Sequence, residues 1–220
     1  MSELAPNLIV VDYGMGNLFS ASKAIEHVGG RATVSADPDE VASAEAIVLP
    51  GVGAFPEAMR QIGVRGLWEA IVDAASSGTP VLGICLGMQL LFESSDEHEG
   101  AEGLGLLEGP VSKLRAPLLK LPNMGWSEIH VERPSPLLAG IEEGETFYFV
   151  HSFAARPEGD ELLASAVYGE RFPAVVGRGN VYGAQFHPEK SSFGGLRLLE
   201  NFVSIAASAR TAAGSAGDAR

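Results

Sequence analysis

The fold of this chain is decided by the stretch Thr79-Pro80-Val81-Leu82-Gly83-Ile84-Cys85-Leu86-Gly87-Met88-Gln89-Leu90-Leu91-Phe92. It opens as an apolar run, passes through a Gly-x-Cys-x-Gly pattern and continues with helical spacing. This order predicts a strand that ends in a tight turn, with Cys85 at the apex and a helix behind it, the arrangement called a nucleophile elbow. Glycine two positions on either side fits this turn, because a Cβ there would clash with the strained backbone.

Cys85 is the only cysteine in the chain. A lone cysteine in an apolar strand is commonly a small buried hydrophobic residue, so the pattern needs a second observation. The flanking glycines and the switch from strand to helix favour a reactive thiol, since a helix N-terminus stabilises the negatively charged thiolate. Such a nucleophile requires a partner base.

Composition indicates a globular protein. The chain has 220 residues, 46% hydrophobic and 20% charged, which is typical of one folded domain rather than a disordered chain. No apolar run approaches the roughly 18 residues of a membrane span, and residues 1–7 lack a signal-peptide pattern. A single cysteine allows no internal disulfide, so we expect a reducing, cytoplasmic setting.

Charge and histidine spacing exclude two classes of function. The formal net charge of −13 argues against binding nucleic acid, because the phosphate backbone would be repelled. The same charge would suit a partner with a basic face. The five histidines show no close ligand spacing and there is no second cysteine, so we expect no metal and no cofactor.

Strand and helix patterns alternate through the first half of the chain. Apolar runs at residues 8–12 and 45–49 predict strands buried on both faces, and a shorter strand is expected at 32–34. Helices are expected at 20–28 and around 67–72. This alternation predicts a single-domain α/β fold with a central, mostly parallel sheet and helices on both faces.

The second half predicts an added antiparallel β section. Residues 94–105 are acidic and Gly-rich, so we expect a surface loop there. A helix at 195–207 closes the domain, which spans residues 8–206, and residues 1–7 and 207–220 are expected to be flexible termini. The expected strands are 111–114, 129–131, 146–150, 162–167, 174–176 and 181–186, the last two joined by a hairpin turn at 177–180.

Gly14 and Gly16 raise another interpretation, a dinucleotide-binding turn with Asp37 at the distance of a ribose-binding carboxylate. The third glycine of that fingerprint is missing, because Phe19 occupies its place. A Gly-rich turn before a helix is therefore favoured.

A partner base for Cys85 is found near the end of the last predicted strand, in Phe186-His187-Pro188-Glu189. His187 and Glu189 are two residues apart, so in extended backbone their side chains leave the same face. A carboxylate in that position can fix the tautomer and orientation of the imidazole. Taken alone, the segment could equally be a surface strand end; together with the elbow it favours a catalytic triad.

An acyl-transfer site also needs hydrogen-bond donors for an oxyanion. The backbone N–H of Leu86, directly after Cys85, is one candidate. A second donor can come from Gly51-Val52-Gly53, at Gly53, because glycine lets the backbone approach closely or reorient. An ordinary strand-ending turn is the alternative for that segment.

At this point the chain resembles a known family. Pro50-Gly51-Val52-Gly53, Gly83-Ile84-Cys85-Leu86-Gly87-Met88-Gln89 and His187-Pro188-Glu189 are similar to segments of the class I (triad) glutamine amidotransferases. Three further stretches resemble the glutaminase subunits of imidazole glycerol phosphate synthase, from histidine biosynthesis: Asp12-Tyr13-Gly14-Met15-Gly16-Asn17-Leu18, Pro122-Asn123-Met124-Gly125-Trp126 and Gln185-Phe186-His187-Pro188-Glu189-Lys190-Ser191. Asn123 departs from the family, where His is expected, and we expect this change to lie away from the triad and affect only interface detail.

The resemblance implies a role for each triad residue. Cys85 would attack the side-chain amide of glutamine, His187 would shuttle the proton, and Glu189 would orient His187. The resulting thioester would be hydrolysed to glutamate.

Gly51, Gln89 and Glu97 are implied as substrate-binding residues. Gln89 lies one helical turn past Cys85 on the same face, and with Glu97 it would hold the α-amino and carboxylate ends of glutamine. The alternatives are a solvated helix position for Gln89 and a mobile loop charge for Glu97.

The resemblance also implies a partner, a (β/α)8-barrel cyclase subunit. The cyclase would combine the ammonia with a phosphoribulosyl-formimino carboxamide ribonucleotide, giving imidazole glycerol phosphate and aminoimidazole carboxamide ribonucleotide. Asn17, Met124, Trp126 and Lys190 match positions at or near the interface, although Trp126 could equally be a core residue.

Two other functions stay open. The chain could be a different class I amidotransferase subunit, feeding pyridoxal phosphate, anthranilate or guanylate synthesis. It could also be a non-catalytic partner-binding protein with the same fold, which the presence of Cys85, His187 and Glu189 argues against.

Overall fold

The computed structural model describes the backbone of residues 5–217. Strands alternate with helices in the first half, as the sequence pattern predicts. The elements of this half are β1 (Asn7–Val11), α1 (Leu18–His27), β2 (Arg31–Ser35), α2 (Pro38–Ala42), β3 (Ala46–Gly51), α3 (Phe55–Val64), α4 (Leu67–Ser76), β4 (Val81–Cys85) and α5 (Leu86–Leu90).

The second half consists of strands closed by one long helix. Two short 3-10 turns, Pro136–Leu138 and Pro188–Lys190, interrupt the loops. The remaining elements are β5 (Ser94–Ser95), β6 (Ala101–Glu102), β7 (Pro110–Lys113), β8 (Asn123–Glu128), β9 (His130–Val131), β10 (Thr146–His151), β11 (Phe153–Ala155), β12 (Leu162–Tyr168), β13 (Glu170–Arg178), β14 (Val181–Ala184) and α6 (Ser192–Gly217).

The main sheet has eight strands in the order β2-β1-β3-β4-β14-β13-β12-β9. The first five are parallel to one another, and β13, β12 and β9 extend the sheet in antiparallel pairing. Two smaller sheets have the strand orders β10-β8 and β11-β7-β5-β6. The predicted α/β fold with an added antiparallel section is confirmed.

Alternation along β1 explains why residues 8–11 are all apolar. Leu8 and Val10 face one hydrophobic cluster, which contains residues of α1 and α6. Ile9 and Val11 face a second cluster on the other side of the sheet, with residues of α2, α3 and α4. A strand covered by helices on both faces needs apolar side chains at every position.

Helix α6 differs from its predicted bounds, since it begins at Ser192 and ends at Gly217 rather than at residues 195 and 207. The added C-terminal residues are rich in alanine, which has the highest helix propensity, and they contain no proline. The predicted helix end is therefore wrong. Residues 1–4 and 218–220, predicted to be parts of flexible termini, lie outside the described residues, and the domain bounds stay a prediction.

The acidic segment 94–105 is more ordered than a surface loop. Ser94 pairs with Glu102 and Ser95 with Ala101 in an antiparallel ladder. Strand β5 also pairs with β7, which ties the segment to the smaller sheet.

Within residues 5–217, no helix is both long and apolar enough to cross a membrane.

A cluster of aromatic rings ties β10 to the segment after β14. Phe147 stacks on Phe186 with ring centroids 4.1 Å apart, and Phe149 meets Phe186 edge to face at 5.6 Å. All three rings are fully buried. The N–H of His187 donates to the carbonyl of Tyr148 at 3.0 Å. This packing fixes the chain around His187 against β10.

Replacing Phe147 tests the contribution of this cluster. We expect Phe147→Ala to lower the free energy of unfolding by about 3–5 kcal/mol, because it removes a buried ring and leaves a cavity. Phe193→Ala is the control, since Phe193 is 89% exposed and its loss should cost less than about 0.5 kcal/mol. Urea denaturation measures both; equal effects would contradict the packing described.

Candidate active site

Cys85 lies at the junction of β4 and α5 with φ of 54° and ψ of −107°, a strained conformation for a residue with a side chain. The flanking glycines make this turn sterically feasible. A Cβ on Gly83 would lie 2.5 Å from the carbonyl oxygen of Gly87, and a Cβ on Gly87 would lie 1.7 Å from the carbonyl oxygen of Leu49. The structure therefore has the predicted elbow, packed directly against β3.

His187 and Glu189 lie beside this turn. The Nδ1 of His187 is 2.8 Å from the Oε1 of Glu189, and both side chains are almost completely buried. The thiol of Cys85 lies near enough to the imidazole of His187 to interact with it electrostatically. Because Nδ1 is committed to Glu189, Nε2 is the nitrogen available to a reacting group, and it has no hydrogen-bond partner among the described residues.

The local backbone differs from the one expected between these two residues. His187 is extended, but Pro188–Lys190 form a 3-10 turn. The turn folds the carboxylate of Glu189 back onto the imidazole. The expected proximity of the two side chains is thus present, while the reason given for it, a continuous extended backbone, is wrong.

The electrostatics favour a charged imidazole. Burial of His187 opposes its protonation, but the interactions with Cys85 and Glu189 outweigh burial and raise the pKa of His187 to about 9. The imidazolium form is therefore dominant at neutral pH, and it can act as a proton donor.

A cavity of about 280 Å³ opens beside Cys85. Its walls come from the chain after β3, the start of α5, the acidic segment and the junction of β10 with β11. Gly53 has φ of 117°, which favours glycine. The residues that line the cavity are Val52, Gly53, Cys85, Leu86, Gln89, Glu97, Pro122, Val150, His151, Ser152 and Phe153.

Both predicted polar binding residues reach this cavity. Gln89 is buried, so a solvated helix position is excluded. Its Nε2 donates to the carbonyl of Phe153 at 2.9 Å and to the Oε1 of Gln185 at 3.1 Å, which leaves its own Oε1 to accept. Glu97 Oε2 accepts from the N–H of Phe55 at 2.7 Å, which holds the carboxylate in place. Gly51 pairs with Cys85 in the sheet register.

Sequence reasoning missed one wall of the cavity and one neighbour of the nucleophile. Residues 150–153 come from the second half of the fold, and only tertiary structure brings them to Cys85. Gln185 is fully buried with Nε2 3.8 Å from Cys85 Sγ. The available signal was its place two residues before His187, at the end of the strand expected at 181–186. The thiol also lies 3.7 Å from the carbonyl oxygen of Val150.

Asn123 lies next to a histidine of the cavity wall. It is buried, and its Nδ2 lies 3.2 Å from the Nε2 of His151, a residue that lines the cavity. His151 Nδ1 lies 2.8 Å from the carbonyl oxygen of Phe153, and burial lowers the pKa of His151 to about 4, so its ring is neutral. Asn123 therefore supports a residue of the cavity wall, and the expectation that its effect is limited to interface detail stays a prediction.

The predicted interface residues differ in exposure. Met124 and Trp126 are 64% and 52% exposed on β8, so Trp126 is not a core residue. Lys190 is exposed at the end of the 3-10 turn. Asn17 caps α1, where its side chain accepts from the N–H of Ser20 at 3.2 Å.

The comparison with known families identifies the class of this chain. The family "Glutamine amidotransferase class-I" matches residues 9–206. The chain belongs to the class I glutamine amidotransferases. Solved structures agree on the fold: one of a glutamine amidotransferase superposes with a TM-score of 0.71 at 21% identity, covering 90% of this chain and 98% of that one. The structure of PurLQS from Thermotoga maritima gives 0.72 at 24% identity, covering 91% and 99%.

Sequence relatives point to one member of the class. The chain is 55% identical to imidazole glycerol phosphate synthase subunit HisH of Bacillus licheniformis, covering 88% of this chain and 93% of that protein. It is 52% identical to the HisH subunit of Bacillus subtilis, with coverage of 90% and 96%. The subunit of the same name in Geobacillus kaustophilus is 51% identical, also with coverage of 90% and 96%.

Replacing Gly87 tests the elbow geometry. We expect Gly87→Ala to prevent normal folding, because its Cβ would overlap the carbonyl of Leu49. Gly63→Ala is the matched control: Gly63 lies in α3, and beyond its own helix no atom of the described residues is within 4 Å of where the methyl group would lie. That substitution should raise stability by up to about 1 kcal/mol. Thermal unfolding measures the stability of both variants. A normally folded Gly87→Ala protein would contradict the elbow geometry.

The raised pKa of His187 predicts a pH dependence. The stabilisation from protonated His187 should be complete below its unfolded pKa near 6.5 and lost as the pH rises through about 9. Glu189→Gln removes the carboxylate charge, so the folded-state pKa should fall, and the stabilisation should be smaller and fully lost at a lower pH. NMR titration of the imidazole measures the pKa directly, and chemical denaturation at each pH measures the stability.

Glu143→Gln is the control for this titration, since Glu143 also pairs with a histidine, at 2.7 Å from His130. This substitution should leave the titration of His187 unchanged. Identical His187 titrations in the wild type and in Glu189→Gln would contradict the role assigned to Glu189.

Proposed function

We propose that this chain is the glutaminase subunit of imidazole glycerol phosphate synthase. The catalytic part of the proposal is supported by Cys85, which lines the cavity and interacts electrostatically with the buried His187–Glu189 pair. The choice of synthase is supported by HisH relatives of about 50% identity over nearly the whole chain. The domain over residues 8–206 and a cytoplasmic location are parts of the same proposal.

The first half of the reaction forms a thioester. The Cys85 thiolate attacks the carbonyl carbon of the glutamine side-chain amide, which makes a C–S bond and places negative charge on the oxygen. The N–H of Leu86 and the N–H of Gly53 stabilise this oxyanion. His187 transfers its Nε2 proton to the amide nitrogen, the C–N bond breaks, and ammonia leaves.

The second half regenerates the enzyme. The neutral imidazole of His187 accepts a proton from water, and the resulting hydroxide attacks the thioester carbon. The C–S bond breaks, glutamate is released, and Cys85 and His187 return to the thiolate and imidazolium forms. Glu189 keeps Nδ1 engaged throughout, so the same nitrogen of His187 gives and takes the proton.

Recognition of glutamine uses acceptors. Because both Nε2 hydrogens of Gln89 are already bonded, only its Oε1 is available to a ligand. This oxygen is an acceptor, which suits the α-ammonium group of an amino acid. The carboxylate of Glu97 adds a charge of the right sign for the same group. The main chain of Gly51, which pairs with Cys85 and directly precedes the cavity-lining Val52, is assigned the remaining contact with the substrate.

Ammonia produced at Cys85 is consumed by the cyclase subunit, which makes imidazole glycerol phosphate and aminoimidazole carboxamide ribonucleotide. Met124 and Trp126 are large apolar side chains in solvent, which is typical of protein interfaces. Lys190 would pair with an acidic residue of the cyclase, and Asn17 would contact it from the start of α1.

Other class I subunits are disfavoured by the relatives, and a non-catalytic protein is disfavoured by the paired His187 and Glu189.

Cys85→Ala separates glutamine-dependent from ammonia-dependent synthesis. In a complex with the cyclase, this variant should make imidazole glycerol phosphate from ammonium salts at the wild-type rate but not from glutamine, because the nucleophile is gone. Product formation with each nitrogen source is measured, and co-elution with the cyclase shows that the variant still assembles. Retained glutamine-dependent synthesis would contradict the proposal.

A further inference from the structure

Tyr13 is a fully buried titratable residue outside the triad. It follows β1 by two residues, and its hydroxyl donates to the carbonyl oxygen of Pro50 at 2.7 Å. Pro50 directly precedes Gly51-Val52-Gly53, the segment proposed to supply one of the oxyanion donors. Tyr13 does not line the cavity, so it does not touch the substrate.

The hydroxyl of Tyr13 is closely surrounded by main-chain and side-chain atoms of two segments. A Cβ on Gly51 would lie 2.2 Å from it, and the same point is 2.9 Å from the Cβ of Leu86 and 3.1 Å from the N of Gly87. The hydroxyl therefore sits between the end of β3 and the first residues of α5. These two segments carry the two proposed oxyanion donors.

Neighbouring residues of the same loop continue this contact. A Cβ on Gly16 would lie 3.1 Å from the carbonyl oxygen of Pro50, and a Cβ on Gly53 would lie 2.5 Å from the Cε of Met15. The loop after β1 thus runs along residues 50–53. The Tyr13 hydroxyl adds a hydrogen bond from this loop to the carbonyl oxygen of Pro50. Burial and the nearby Cys85 raise the pKa of Tyr13, so the hydroxyl remains a proton donor.

We propose that Tyr13 is a positioning residue for the oxyanion site, acting by holding the Pro50–Gly51 peptide in one orientation. The glycines at Gly51 and Gly53 lack the steric restraints of other residues, so the segment would reorient if nothing held its first peptide. The hydrogen bond to the Pro50 carbonyl supplies that restraint. This inference rests on the proposed glutaminase function.

The test is Tyr13→Phe, which keeps the ring and removes only the hydroxyl. In the complex with the cyclase, kcat for glutamine hydrolysis should fall by about 10- to 100-fold, the loss that a displaced stabilising group produces. KM for glutamine should stay unchanged, because Tyr13 lies outside the cavity. Tyr168→Phe is the matched control, since its hydroxyl also donates to a main-chain carbonyl, that of Lys120 at 2.7 Å, but at an exposed site.

Two ligands of Cys85 distinguish positioning from a general structural role. Alkylation by iodoacetamide displaces iodide without forming an oxyanion, so its rate should equal that of the wild type. The γ-aldehyde analogue of glutamine adds Cys85 to its carbonyl carbon and converts the carbonyl oxygen into the oxygen held by the oxyanion donors. Its affinity for Tyr13→Phe should fall by the same factor as kcat.

An unchanged kcat in Tyr13→Phe beside an active wild type would overturn the proposal. It would also be overturned if alkylation and co-elution with the cyclase fell along with kcat, since Tyr13 would then support the fold as a whole. A wild-type complex that releases no glutamate would instead contradict the proposed function. The two failures are therefore distinguishable.

Discussion

The close approach of α5 to β3 is the constraint on which the site depends. Gly87 lies so near the carbonyl of Leu49 that no side chain fits between them, and this contact sets the start of the helix directly behind Cys85. The turn at Cys85 then adopts a positive φ at the point where β4 passes into α5, and the thiol lines the cavity. The energetic cost of that conformation is of order 1–3 kcal/mol, and the surrounding packing offsets it.

Around this turn, partners from distant parts of the chain are held by buried polar contacts. His187 is fixed on one side by Glu189, and Gln89 is fixed by Gln185 and the carbonyl of Phe153. The same carbonyl is approached by His151, which connects to Asn123. Since buried polar groups are costly when unpaired, this network favours one arrangement of the cavity wall over others.

Local features of the sequence predict the elbow and most of the fold. Apolar runs predict strands buried on both faces, and a glycine on either side of Cys85 predicts a turn, because both signals depend on neighbours in the chain. The wall at Val150, the hydroxyl of Tyr13 and the contact of Asn123 with His151 depend on pairings between residues far apart in sequence. No periodicity records such pairings, so the sequence alone could not place these residues.

The central claim is that the cyclase subunit uses the nitrogen released at Cys85 directly, before it mixes with the ammonium in solution. The direct measurement is synthesis of imidazole glycerol phosphate by the complex from glutamine labelled with ¹⁵N in its side-chain amide, in the presence of excess unlabelled ammonium. The account predicts that the product carries the label, because ammonia passes between the subunits without mixing with the solution. Label diluted in proportion to the unlabelled ammonium would contradict it.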